Sequence, residues 1–251
     1  MALYMIGIGL GDEKDITLRG LEAVKHCDKV FLETYTSLLQ CSVADLEKLY
    51  GKKIIPADRE LVEKNAEQIL SAAKNEDAAF LVIGDPMSAT THMDIYLRAR
   101  EKNIPVIVIH NASVLTAVGI VGLQLYKYGK TTSLPFDASQ SLTAYSVIAD
   151  NSGLRMHTLV LLDLNPSEKK YLTVQQAIKH LLAREEEQKR KIFTAKTLCI
   201  GCARLGSDSQ KIIASTAEEL SKEDLGPAPH CLIIPGKLHF MEEEAIGVWK
   251  K

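Results

Sequence analysis

Short apolar runs alternating with amphipathic segments predict an α/β protein with largely parallel strand pairing. Seven runs, at residues 3–8, 29–32, 79–83, 106–109, 158–162, 198–202 and 231–234, read as strands buried on both faces. Between many of them apolar residues recur at helical spacing. Leu18, Leu21, Ala23, Val24 and Cys27 mark one face of a helix expected over 12–27, and Leu61, Ala66, Ile69, Leu70 and Ala73 mark another. The longest nearly apolar stretch, 112–125, contains Thr116 and Gln124 and falls short of the ~20 residues a membrane-spanning helix needs, so it reads as a buried core helix.

Composition bounds the function. A chain of 251 residues with 46% hydrophobic content can bury a core without disulfides or metals. Thirty basic and 32 acidic side chains give a formal charge of −2, which supplies no overall attraction to nucleic acid or an anionic membrane. Residues 1–7 lack the features of a signal peptide, and five cysteines, at 27, 41, 199, 202 and 231, form no paired framework; both point to the cytoplasm. Cys199 and Cys202 lie on one expected strand with no second pair or histidine at ligand spacing, so they read as core thiols and no metal is expected. The charged run 184–191 reads as a solvated helix end without chemistry. His92, His110, His157 and His239 are scattered, and each reads as a hydrogen-bonded structural residue.

Three motifs stand at the carboxyl ends of expected strands, the edge where open α/β sheets hold ligands. Gly7-Ile8-Gly9-Leu10-Gly11 permits a sharp turn and close approach of a ligand to the main chain. A dinucleotide site would also want an acidic residue after the next strand, and Glu33 fits; against it, the third fingerprint glycine is replaced by Asp12, whose carboxylate would repel a pyrophosphate. Ile83-Gly84-Asp85-Pro86-Met87-Ser88-Ala89-Thr90-Thr91-His92 places Asp85 at the crevice, or else Asp85 and Ser88 cap a following helix. In His110-Asn111-Ala112-Ser113-Val114, Asn111 or Ser113 could be an N-cap. Together these tips could line a pocket that contacts a ligand largely through backbone groups.

The same motifs, with Asp15-Ile16-Thr17-Leu18-Arg19-Gly20-Leu21, Tyr35-Thr36-Ser37, Ala117-Val118-Gly119, His157-Thr158-Leu159, Leu162-Asp163, Ala203-Arg204-Leu205-Gly206, Pro229-His230 and Pro235-Gly236-Lys237-Leu238-His239, resemble the diphthine synthase family through most of the chain. The resemblance implies two α/β domains of the tetrapyrrole methylase type, 1–112 and 113–251, with S-adenosylmethionine in the cleft between them, and a homodimer. Carried over residue by residue, cofactor contacts fall on Leu10, Asp85, Ser88, Ser113 and Val114 in the first domain and on Leu162, Leu205 and His230 in the second. Many would act through the main chain.

The implied reaction methylates the aminocarboxypropyl-modified histidine of translation elongation factor 2, leaving S-adenosylhomocysteine. Segments such as Gly122-Leu123-Gln124-Leu125-Tyr126 are closest to eukaryotic members, which favours four methylations, the last forming a methyl ester, over three. The amine can lose its proton to solvent or a nearby acceptor, so no catalytic residue is assigned. No direct nucleic-acid or membrane partner is expected. One departure stands out: an Asn-Trp-x-Pro element usual in the family is replaced by Phe136-Asp137-Ala138-Ser139-Gln140-Ser141, which puts the protein-substrate contacts in doubt. A methyltransferase of the same fold acting on a tetrapyrrole or other small molecule is the nearest alternative, although no clustered arginines await a macrocycle's carboxylates; a non-catalytic binding module is the third.

Overall fold

The computed structural model describes residues 1–88 and 91–250. Ala89 and Thr90 of the second motif lie outside the described residues. The chain forms two compact units, Met1–Ala117 with Gly206–Asp208, and Val118–Leu205 with Ser209–Lys251.

The first unit is a parallel sheet built from β1 (Leu3–Gly7), β2 (Lys29–Glu33), β3 (Ile55–Ala57), β4 (Ala78–Val82) and β5 (Val106–Ile109), in the order β3-β2-β4-β1-β5. Its helices are α1 (Leu18–His26), α2 (Val43–Tyr50), α3 (Glu67–Asn75), α4 (Met93–Glu101) and the short α5 (Val114–Ala117). Alternate side chains of each strand point to opposite faces, and both faces are covered. Leu3, Met5, Phe31 and Phe80 pack with Ile69, Leu70 and Ile95, whereas Ile6, Val30, Leu32 and Leu81 pack with Val24, Leu46 and Tyr50. The central strands read as unbroken apolar runs because neither face meets water.

The second unit holds β6 (Thr132–Leu134), β7 (Thr158–Leu162), the small pair β8 (Leu164–Asn165) and β9 (Lys170–Tyr171), then β10 (Leu198–Ala203), β11 (Lys211–Thr216) and β12 (His230–Ile234). Its main sheet runs β11-β10-β12-β7-β6. Only β6 and β7 pair in parallel there; the other neighbours are antiparallel, which corrects the expectation of largely parallel pairing for this half. Burial on both faces makes a strand apolar whatever its direction, so the runs at 198–202 and 231–234 carried no sign of orientation. Helices α6 (Leu142–Gly153), α7 (Val174–Gln188), α8 (Ala217–Leu220) and α9 (Phe240–Gly247) complete the unit. Tyr145, Ile148, Ile178 and Leu181 close its core over Val160 and Leu232.

All seven expected strands form, with ends within one residue of the reading. The helix expected over 12–27 is shorter: a 3-10 turn at Glu13–Asp15 precedes α1, which Thr17 caps by accepting from the Gly20 N–H. Leu18 stands 81% exposed and does not belong to the buried face. The segment carrying Leu61 to Ala73 divides into a π-helical turn, Glu60–Lys64, and α3. The apolar stretch 112–125 is not one buried helix. It breaks into α5 and 3-10 turns at Val118–Val121 and Leu125–Lys127, and Gly122 takes a left-handed φ of +90° that a helix cannot continue through.

Candidate functional site

The glycine turn after β1 folds onto the turn after β4. Gly9 and Gly84 form a two-residue antiparallel bridge, with the Gly84 N–H donating to Gly9 O at 2.7 Å. Both have φ near +80°, and a Cβ on Gly9 would come within 2.3 Å of the Asp15 Cβ, so these positions need glycine. Asp15 explains why the turn is not a phosphate cradle. Its Oδ2 accepts from the N–H groups of Leu10 at 3.1 Å and Gly11 at 2.7 Å, the donors a pyrophosphate would require. Asp12 caps the 3-10 turn, accepting from the Lys14 N–H. Glu33, fully buried, spends its carboxylate on the Tyr35 N–H and on the backbone and hydroxyl of Thr36. Neither half of the dinucleotide pattern is therefore free for a nucleotide.

Asp85, 4% exposed, accepts four hydrogen bonds from within the unit. The Met87 N–H and the Ser88 hydroxyl reach Oδ1 at 2.9 and 3.1 Å; the His110 Nδ1 and the Asn111 N–H reach Oδ2 at 2.8 and 3.1 Å. Four donors fill the lone-pair positions of a carboxylate. Burial alone would raise the pKa, but the bonds from Met87, His110, Asn111 and Ser88 outweigh it and hold the carboxyl below its ordinary range. Asp85 and Ser88 do not cap α4, whose N-cap residue is His92 and whose first turn has no side-chain cap. The side chain of Asp85 thus locks two loops together and is not held open for a ligand.

Asn111 ties in a third strand end, its Nδ2 donating to Gly7 O and Asp15 O, each at 3.0 Å. Ser113, 4% exposed, starts α5 through its carbonyl, which accepts from the Ala117 N–H, and Val114 follows as the first helical residue. These loops surround Gly84: a Cβ there would lie 3.7 Å from Leu10 Cδ2 and 3.8 Å from both Ala112 O and Ser113 Cα. Leu10 also lies against Gly206, the hypothetical Cβ of which would approach the Leu10 Cβ to 3.0 Å. The first unit therefore brings Leu10, Asp85, Ser88, Ser113 and Val114 to one backbone-lined edge.

In the second unit, Leu162 ends β7 and Leu205 follows β10, 6% and 8% exposed. Arg204 fixes the neighbouring loops, donating from Nε to Ser209 O at 3.0 Å and from Nη1 to Leu225 O at 3.1 Å. His230 opens β12 and uses both ring nitrogens internally: Nδ1 accepts from the Val174 N–H at 3.4 Å, and Nε2 donates to Gly226 O at 3.0 Å. Burial is the first reason its pKa is lowered, and a ring whose Nδ1 accepts a hydrogen bond is neutral. Phe136, in the segment that replaces the family's Asn-Trp-x-Pro element, packs against the second core, with the Lys170 ammonium 4.4 Å from its ring centre.

One pairing went unread in the sequence. His110 and Asp85 lie 25 residues apart, and only the strand order β4-β1-β5 sets their loops side by side. The signal available was a polar residue just past each of two strands, Asp85 three residues after β4 and His110 directly after β5.

The model of the tetrapyrrole (corrin/porphyrin) methylases matches residues 2–221. Diphthine methyl ester synthase of Dictyostelium discoideum is 46% identical, covering 97% of this chain and 96% of its own length; that of Homo sapiens is 44% identical, over 98% and 94%. A crystal structure of diphthine synthase superimposes with a TM-score of 0.92 at 36% identity, covering 100% of this chain and 96% of the other. With the family model matched over most of its length, the chain belongs to the tetrapyrrole (corrin/porphyrin) methylases.

Proposed function

We propose that this protein is an S-adenosylmethionine-dependent methyltransferase of diphthamide biosynthesis, acting on the aminocarboxypropyl-modified histidine of elongation factor 2. The observation that carries this reading is full-length similarity to diphthine methyl ester synthases at about 45% identity, together with a glycine edge that suits a ligand held through its surroundings' main chain. The same similarity supports four methyl transfers, three to the amine and one to the carboxylate. Leu10, Asp85, Ser88, Ser113 and Val114, with Leu162, Leu205 and His230, are the proposed cofactor contacts. Because the carboxylate of Asp85 and both nitrogens of His230 are already engaged, these two contribute through the main chain. The protein is proposed to work in the cytoplasm as a homodimer.

Bound S-adenosylmethionine supplies an electrophilic methyl carbon, so the chain's own task is alignment and exclusion of water. The locked loops suit that task. Asp15 and Asp85 accept from the loop N–H groups and Asn111 donates to the Gly7 and Asp15 carbonyls, which keeps the edge in one conformation before a ligand arrives. Incubation with S-adenosylmethionine and elongation factor 2 bearing the unmethylated modification should raise the factor's mass by four methyl groups. No gain from protein that demonstrably binds the cofactor would transfer the assignment to a small-molecule acceptor.

A further inference from the structure

We propose that His110 is the proton acceptor for the amine, with Asp85 as the residue that orients it; this rests on the substrate reading above. An amine that receives several methyl groups starts as an ammonium and must shed a proton before each transfer, because only the neutral nitrogen has a lone pair to donate. A group at the edge of the site that takes three protons in succession speeds this near neutral pH, where solvent alone is a weak base.

The geometry points to one group. The His110 side chain is 69% exposed, while the Asp85 carboxylate behind it is 6% exposed and 2.8 Å from Nδ1. An ionised carboxylate can only accept, so Nδ1 carries the hydrogen and the lone pair of the neutral ring resides on Nε2. A buried carboxylate fixing the tautomer of an outward imidazole is the arrangement that proton transfer needs. Asp85 is itself held by Met87, Ser88 and Asn111, so the imidazole is attached to a rigid support. His110 also stands three residues before Ser113 and four before Val114, both proposed cofactor contacts. The substrate N–H bond breaks with its electron pair kept by nitrogen, an N–H bond forms at Nε2, and the exposed ring then passes the proton to water.

Esterification of the carboxylate requires no deprotonated amine. A catalytic role for His110 therefore predicts a loss confined to the nitrogen steps, whereas a role in holding the loops would weaken every step. In His110→Asn the amide can still donate to Asp85 but cannot accept a proton as imidazole does.

The experiment follows methyl count on elongation factor 2 by mass spectrometry for the native protein and His110→Asn between pH 7 and pH 9.5, with cofactor affinity measured by calorimetry. The nitrogen transfers should slow about 10²-fold at pH 7. The deficit should shrink as pH rises and solvent deprotonates the amine. Affinity for S-adenosylmethionine should stay within about twofold, and a substrate already carrying three methyl groups should receive the fourth at the native rate. Unchanged nitrogen transfer at pH 7, an equal loss in all four steps, or a cofactor affinity that falls in step with the rate would each overturn the assignment. A native protein that binds cofactor yet methylates nothing on the factor would overturn the substrate reading, and the proton-acceptor role with it.

Discussion

His110 in the first unit and His157 in the second are placed in opposite ways. In the first, His110 commits one nitrogen to a buried carboxylate, and its side chain is 69% exposed. In the second, His157 is fully buried, with the Gly236 N–H donating to its Nδ1 at 2.9 Å and its Nε2 donating to Glu242 Oε1 at 3.0 Å; His230 is similarly consumed. A histidine with both nitrogens satisfied can only hold its neighbours together, whereas one with a nitrogen left over can exchange a proton. Accounting for hydrogen bonds atom by atom separates the two, where residue identity alone does not.

Breaking the closed arrangement should have the largest effect. Glu242 is 1% exposed and accepts from the Gln124 N–H, the His239 N–H and His157, and it pairs with the Lys127 ammonium. Those bonds overcome the cost of its burial and lower its pKa to about 2. Glu242→Ala leaves Lys127 and His157 without their partner and should cost about 3–5 kcal/mol in urea denaturation. In the first unit, Gly9→Ala combines a left-handed backbone with a clash on Asp15 and should cost about 3 kcal/mol, with cofactor binding lost alongside.

Acid provides a milder probe of the same contrast. Burial lowers the pKa of His157 and of His230, and that of His92 to about 4. Each folded value lies below the unfolded one of about 6.5, so the unfolded chain takes up protons first. The stability these groups contribute is whole above that pH and is lost as pH falls toward the folded values, at no more than about 1.4 kcal/mol per pH unit for each. Urea midpoints measured from pH 7 to pH 4 should decline steadily. A flat profile would mean that these rings protonate freely in the folded protein.

The legibility of the chain followed the same physical division. The central strands were readable because burial on both faces leaves a continuous apolar run, as in Ala78–Val82 and His230–Ile234. Edge strands such as β3, three residues long with Pro56 in the middle, carry no such run, and β11 begins at an exposed lysine. The break in residues 112–125 includes Gly122, whose left-handed backbone angle composition does not reveal. The candidate site was legible as motifs at strand ends, since turns that approach a ligand need glycine and small polar residues. That Asp85 is saturated, and that one of its donors is His110, depends on loops that strand order alone brings together.

Side-chain 15N NMR of the ligand-free protein at pH 8 puts the contrast between these histidines to its most direct test. His110 should appear as the tautomer with hydrogen on Nδ1, and His157 and His230 as the tautomer with hydrogen on Nε2. Finding the His110 hydrogen on Nε2, with Nδ1 bare against Asp85, would contradict both the oriented pair and the proton path built on it.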